Sequence, residues 1–312
     1  MRRAALVLLA LLAASPVAAA TQLGLVTGPA HGTSHQLGLD LIRLVKPAGI
    51  ELRVYPSRGS VDNLAALGDG ATAQLGIVQS DVLDFIGAGG ASPIVAGIAR
   101  QLRVVFPLYA EVVHVLARRD VTAFEQLSGK RIAIGAEGSG TYVTARRLLK
   151  LADVQPREVV TLDAEQALGR LKKGQLDAII YVAPSPLSFL KETVGATDGL
   201  ALVPITSKSV REWYAGAELP ARTYAWQPAP VATVAVRAVL VAVDSEGPRC
   251  EAIGRFAQTV AAGLPWLRAH GHARWQDVDI GRRVEGWPQS ECARRAGVIG
   301  VAPRAAARAP GP

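Results

Sequence analysis

The chain has 312 residues, 34 Lys+Arg against 26 Asp+Glu, a formal net charge of +8 and 50% hydrophobic residues. Leu, Val, Ile and Ala are spread along its whole length, which excludes intrinsic disorder and supplies core for about two domains. The basic residues are dispersed and not interleaved with aromatics, so they predict solvated faces and helix-end charges, with no nucleic-acid partner.

Met1-Arg2-Arg3 is a short positive start, and Ala4 to Ala14 is an apolar run. Ser15-Pro16 breaks the run, and Ala18-Ala19-Ala20 gives a small-x-small site before Thr21. This pattern predicts a signal peptide over 1–20, cleaved after Ala20, and a periplasmic destination. The run is too short to cross a bilayer. The next candidate, Ala229 to Val243, is interrupted by Arg237 and falls short of the roughly 20 residues a span needs.

After Thr21 the pattern alternates strand and helix. Gln22 to Thr27 predicts a strand, Leu37 to Val45 a helix, and Glu51 to Tyr55 a second strand. Ser60 is a candidate N-cap for a helix through Leu64 and Leu67, closed by Gly68 and Gly70. Leu75 to Val78 predicts a buried strand, and Asp81 a cap for a helix that stops in the Gly-rich stretch Gly87 to Gly90. Leu102 to Val105 and Val112 to Leu116 are β-rich and separated by Pro107 to Glu111. Arg131 to Ile134, Val159 to Leu162, Asp177 to Val182 and Leu200 to Ile205 then predict strands. Between them lie predicted helices over Tyr142 to Leu151, Ala164 to Lys173 and Ser185 to Thr193. Thr233 to Val243 is a long β-branched segment, and Cys250 to Leu267 a helix that Pro265 bends or ends. The chain finishes in an Ala/Arg/Pro/Gly string from Ala302.

Two halves therefore share the order strand, Gly-rich loop, helix, strand, helix, strand, which predicts parallel α/β sheets. The first loop is Gly28-Pro29-Ala30-His31-Gly32-Thr33-Ser34 and the second Gly135-Ala136-Glu137-Gly138-Ser139-Gly140-Thr141. Glycines let backbone N–H groups converge on a ligand, and a following helix N-terminus favours negative charge. Neither loop ends in the Gly-Lys-Ser/Thr of a nucleotide P-loop, so phosphate transfer is not expected. His35 follows the first loop. Arg58, with Gly59 and Ser60 after the second strand, is placed to clamp a carboxylate. Gln79 ends the third strand, and Tyr109 and Glu111 lie where the chain passes from one half to the other. His31 and His35 lie near Ser34, but no nucleophile elbow is present and no acid is placed to orient either ring; neither is expected to be catalytic. No cofactor and no metal site is expected.

Cys250 and Cys292 are the only cysteines. An oxidising compartment favours their pairing, and the alternative is two unrelated buried thiols.

The chain resembles the TAXI-type extracytoplasmic solute receptors of TRAP transporters. The resemblance is carried by Thr27-Gly28 through Gly32-Thr33, Gly59 to Leu64, Gly76 to Asp81, Leu108-Tyr109 with Glu111, Gly138 to Thr141, and Thr233 to Val236. Ser34-His35 stands where that family usually has an aromatic pair, and Ala110 and Arg237 where it has prolines. The tail after Leu267 lies outside the family pattern. The resemblance implies a two-lobed periplasmic-binding-protein fold of type II, each lobe a mostly parallel sheet flanked by helices. It further implies a monomeric receptor that holds a small anionic solute, a carboxylate or an amino acid, and delivers it to a TRAP-type permease. The expected lobes are 22–107 with 240–312, and 108–239. The expected ligand-binding residues are Gly28, His31, Gly32, Thr33, Ser34, His35, Arg58, Gly59, Ser60, Gln79, Tyr109, Glu137, Ser139, Gly140 and Thr141. The alternatives are an enzyme on the same fold and a ligand-presenting sensor for a membrane kinase.

Overall fold

The computed structural model describes residues 21–87 and 92–298. The expected leader, most of the Gly-rich stretch before Ser92 and the tail string from Ala302 lie outside the described residues.

The first α/β unit runs β1 (Thr21–Val26), α1 (Thr33–Val45), β2 (Ile50–Tyr55), α2 (Ser60–Asp69), β3 (Leu75–Gln79), α3 (Val82–Gly87) and α4 (Pro93–Ala99). β4 (Leu102–Arg118) leads out of it. The second unit runs β5 (Arg131–Ala133), α5 (Gly140–Leu151), β6 (Glu158–Val160), α6 (Ala164–Lys172), β7 (Ala178–Ala183), α7 (Ser188–Thr193), β8 (Leu200–Leu202), α8 (Lys208–Arg211) and β9 (Ala215–Leu219). β10 (Val231–Val243) leads back to α9 (Pro248–His270) and α10 (Glu291–Arg295).

The sheet order is β2-β1-β3-β10-β4-β7-β5-β6, with β8 on β4 and β9 on β10. Both parallel trios anticipated from the alternation are present: β1 between β2 and β3, and β5 between β6 and β7. What joins them is an antiparallel pair, β4 and β10, long enough to run through both units. The fold is thus the two-lobed α/β type, with both crossings made by strands of one continuous sheet.

Pro107 does not separate two strands, as its position suggested; β4 continues through it. The reason lies in the partner. The β4–β10 register shifts between Arg237 and Val239, and Pro107 lies opposite Val239, where a bulge tolerates a missing N–H. Pro265 likewise fails to end α9, which runs on to His270. Leu264 and Leu267, on either side of Pro265, are buried in the same apolar cluster as Leu37, Leu41 and Phe256. Burying a leucine is worth about 1.5–3 kcal/mol, so the pair offsets the ~3 kcal/mol of an interior proline. Two cap assignments are also corrected. Gly59, with φ of 132°, occupies the N-cap of α2, while Ser60 Oγ accepts from the Gln79 N–H at 3.0 Å. Asp81 does not turn its carboxylate onto α3 but receives Thr144 Oγ1 and Tyr214 Oη, each at 2.8 Å.

The core is partitioned as the sheet is. One apolar cluster joins β1, α1 and α9 around Leu25, Phe256 and Trp275, and a second joins β4, α5 and β7 around Phe124, Leu148 and Ile180.

Cys250 in the first turn of α9 and Cys292 in α10 form a disulfide across 42 residues of chain. It ties the segment after α9 back onto the helix. Closing a loop of that length in the unfolded chain is worth about 4 kcal/mol. Reduction, or Cys250→Ser with Cys292→Ser, is expected to lower the melting temperature by several degrees. Thermal melts with and without reductant, beside a thiol count on denatured protein, check this; equal melts would mean the tail is held by packing alone.

Candidate functional site

The carboxyl ends of β1 and β3 face those of β5 and β7 across β4 and β10. Between them is a cleft of about 960 Å³. A separate void of about 10 Å³ beside Trp275 lies wholly in the apolar core and is a packing gap.

The first Gly-rich loop contributes Gly28, His31, Gly32, Thr33 and Ser34 to the cleft wall. Gly32 caps α1 without a side-chain bond, and the His35 N–H of the first turn donates to the Gly32 carbonyl at 3.1 Å. Ser34 Oγ is 2.8 Å from Tyr109 Oη. The second loop contributes Gly135, Ser139, Gly140 and Thr141. Ser139 caps α5, its Oγ accepting from the Tyr142 N–H at 3.1 Å. Thr141 Oγ1 accepts from the Val182 N–H at 3.1 Å, so this hydroxyl also fixes the loop to β7.

The two loops touch through the start of α2. The Val61 and Asp62 N–H groups donate to the Gly138 carbonyl at 3.0 and 3.3 Å. Gly59 and Gly140 pass so closely that a Cβ on Gly140 would lie 2.0 Å from Gln79 Oε1, and one on Gly59 would lie 3.2 Å from the Gly140 nitrogen. Only glycine permits this approach.

The floor is polar and buried. Gln79 donates from Nε2 to Glu111 Oε2 at 2.6 Å and accepts from Thr144 Oγ1 at 3.3 Å. Burial raises the Glu111 carboxyl from its ordinary value to about 7, against the stabilising bond from Gln79. Burial also raises Asp81, whose second oxygen has no partner among the described residues. Tyr181 is pushed up to about 12 by burial and by the Glu111 charge. His114, on β4, donates from Nδ1 to the Val112 carbonyl at 3.0 Å and accepts at Nε2 from the Tyr224 hydroxyl at 2.9 Å, and burial holds it near 4, so it remains neutral.

Several expected residues take other places. The paired donors of Arg58 are occupied by Asp62, Nε to Oδ2 at 2.7 Å and Nη2 to Oδ1 at 2.9 Å, so Arg58 lines the cleft with its fork already filled. Glu137 is exposed and is not part of the cleft wall, and neither is His35, whose Nδ1 lies 3.1 Å from Thr27 Oγ1. Tyr109 is fully buried behind Ser34. The structure also adds residues. Glu111 lines the floor, and Tyr181 and Phe189 pack edge to face at 5.8 Å in the wall. His272, Arg274 and Asp277 reach the cleft from the 3₁₀ turn Ala273–Asp277 after α9. Arg274 bonds the Ser185 carbonyl and pairs with Asp277, so the tail bridges to the second unit. Among the described residues, no group of His, Cys, Asp and Glu is placed to hold a metal ion.

The model of the NMT1-like family matches residues 25–246, most of the chain, and the chain belongs to that family. Solved structures with a similar course include an ancestral arginine-binding protein bound to arginine, at 13% identity over 83% of this chain and 96% of that one, TM-score 0.49. An amino acid ABC transporter substrate-binding protein from Streptococcus pneumoniae bound to L-arginine is 16% identical over 82% and 95%, TM-score 0.48. A TctC solute-binding protein from Polaromonas is 15% identical over 89% and 94%, TM-score 0.47.

Proposed function

We propose that the protein is an exported solute receptor. It captures a small carboxylate-bearing solute between its lobes without converting it, and delivers it to a membrane permease. The observation that carries this reading is the cleft itself, flanked by a glycine loop and a helix N-terminus from each unit. A glycine loop and a helix N-terminus on each side suit a carboxylate. The TAXI resemblance makes the permease TRAP-type, the compartment the periplasm and the receptor a monomer. The lobes are 22–107 with 240–312, and 108–239, hinged on β4 and β10. Gly28, Gly32, Thr33, Ser34, Ser139, Gly140 and Thr141 hold the carboxylate; Arg58 shapes the rim rather than supplying the charge.

Protein purified from its native compartment is expected to release an unchanged solute on denaturation. Mass spectrometry of the supernatant checks this; recovery of a product of that solute would favour an enzyme on the same fold. Scattering with and without the recovered solute should show a smaller radius on saturation. An unchanged radius would remove the hinge.

A further inference from the structure

The floor of the cleft carries a feature that a carboxylate does not use. Glu111, midway along β4, is 8% exposed, and what remains exposed opens onto the cleft. Gln79 satisfies one of its carboxylate oxygens; among the described residues the other oxygen has no hydrogen-bond donor. A carboxylate buried to that degree is costly unless a cation or further donors meet it.

Among the described residues no side chain of the surrounding elements donates to that oxygen or pairs with it. From β3 come Gln79 and the acid Asp81; from β4 itself comes Tyr109, tied to Ser34 of α1. From β7 comes Tyr181, whose hydroxyl stays protonated. Arg237 of β10 donates to the Leu108 carbonyl. The cleft arginines are both engaged, Arg58 on Asp62 and Arg274 on Asp277. At the mouth, Glu165 and Glu192 add exposed carboxylates to the lining.

We propose that Glu111 is the specificity-determining residue of this cleft and binds a cationic nitrogen of the solute, a protonated amine, amidine or guanidine. The Tyr181–Phe189 pair forms an aromatic wall of the same cleft, a surface compatible with a cation. The glycine loops and Glu111 then lie at different parts of one cavity, so the preferred solute carries a carboxylate and a basic nitrogen together. Removing the nitrogen leaves Glu111 buried and unpaired, which gives discrimination against amine-free analogues. This inference rests on the receptor reading.

The test uses the full exported chain and matched probes: L-leucine, L-lysine and 4-aminobutyrate against 4-methylpentanoate, hexanoate and butyrate. Melting shifts and calorimetry are read at about pH 8, where Glu111 is ionised. An amine-bearing probe is expected to bind roughly 10- to 100-fold more tightly than its counterpart, the range of a hydrogen bond to a charged group. Glu111→Gln is expected to erase that preference, weakening the amine-bearing probe and relieving the cost that the amine-free probe meets at the ionised carboxylate, and Glu111→Asp to restore part of it. Equal binding of the two sets, or a preference that survives Glu111→Gln, overturns the proposal and leaves the receptor reading standing. Should no probe bind, the solute released by native protein decides: a basic nitrogen in it supports the proposal, and its lack overturns it. No response from any probe and no released solute would overturn both.

Discussion

Gly140→Ala is expected to weaken solute capture by about a hundredfold, an effect of ~3 kcal/mol. The new Cβ would lie 2.0 Å from Gln79 Oε1 and 2.8 Å from Ser60 Oγ. Gln79 has little freedom to move aside, because Nε2 is held by Glu111 and Oε1 by Thr144. The second loop must therefore retreat from the end of β3. That retreat breaks the bonds from Val61 and Asp62 to the Gly138 carbonyl, each worth about 1 kcal/mol, and adds overpacking strain of about 1–3 kcal/mol. The strain exists only where the second loop meets Gln79 and Ser60, and on the proposed hinge it falls on the arrangement in which the lobes are in contact. Calorimetry with the solute recovered from native protein measures it. Gly169→Ala is the control: nothing lies within 4 Å of its Cβ in α6, and it should bind as wild type with a slightly higher melting temperature. Wild-type affinity in Gly140→Ala would mean that the loops part when solute is bound.

The elements that were legible in the sequence were those marked by local chemistry. Each trio of parallel strands was visible because apolar runs alternate with helical spacing and each Gly-rich loop sits between strand and helix. β4 was not legible as one strand because the signal at Pro107 is local and its resolution is not: the bulge that accommodates the proline exists only in the pairing with β10. β9 was missed because Ala215, Gly216 and Ala217 carry little strand propensity and pair only because β10 is beside them. The same distinction divides the site. The loop glycines were identifiable, since close backbone approach needs glycine whatever surrounds it. Arg58 was misjudged although Asp62 stands four residues on, the spacing at which helical side chains pair. Ser60 and Asp81 looked like caps, and the fold instead turns their oxygens toward β3, α5 and Tyr214. His272 and Arg274 carried no signal at all, because the tail is brought to the cleft by the packing of Trp275 and the tie at Cys292. Glu111 was noticed only as a residue near the crossover; its burial depends on strands far away in sequence.

Glu111→Gln is expected to make the unliganded protein more stable at alkaline pH. The unfolded chain loses this proton near 4.5 and the folded chain near 7. Between those values the folded state binds more protons, so the contribution of this group to stability falls as pH rises and its cost is complete above about 7. Glutamine has the same shape, can still accept from Gln79, and carries no charge to bury. The gain should be on the order of 1–3 kcal/mol at about pH 8, and each kcal/mol raises the melting temperature by roughly 2–4 °C. At about pH 4 the wild-type carboxyl is protonated in both states, and the two proteins should melt together. Melting curves at both pH values, taken after removal of any bound solute, provide the measurement. A variant destabilised at both would show that the carboxylate is needed for the fold. A variant stabilised only at the higher pH, and defective in solute capture, would show a buried charge kept at a cost to stability because binding needs it.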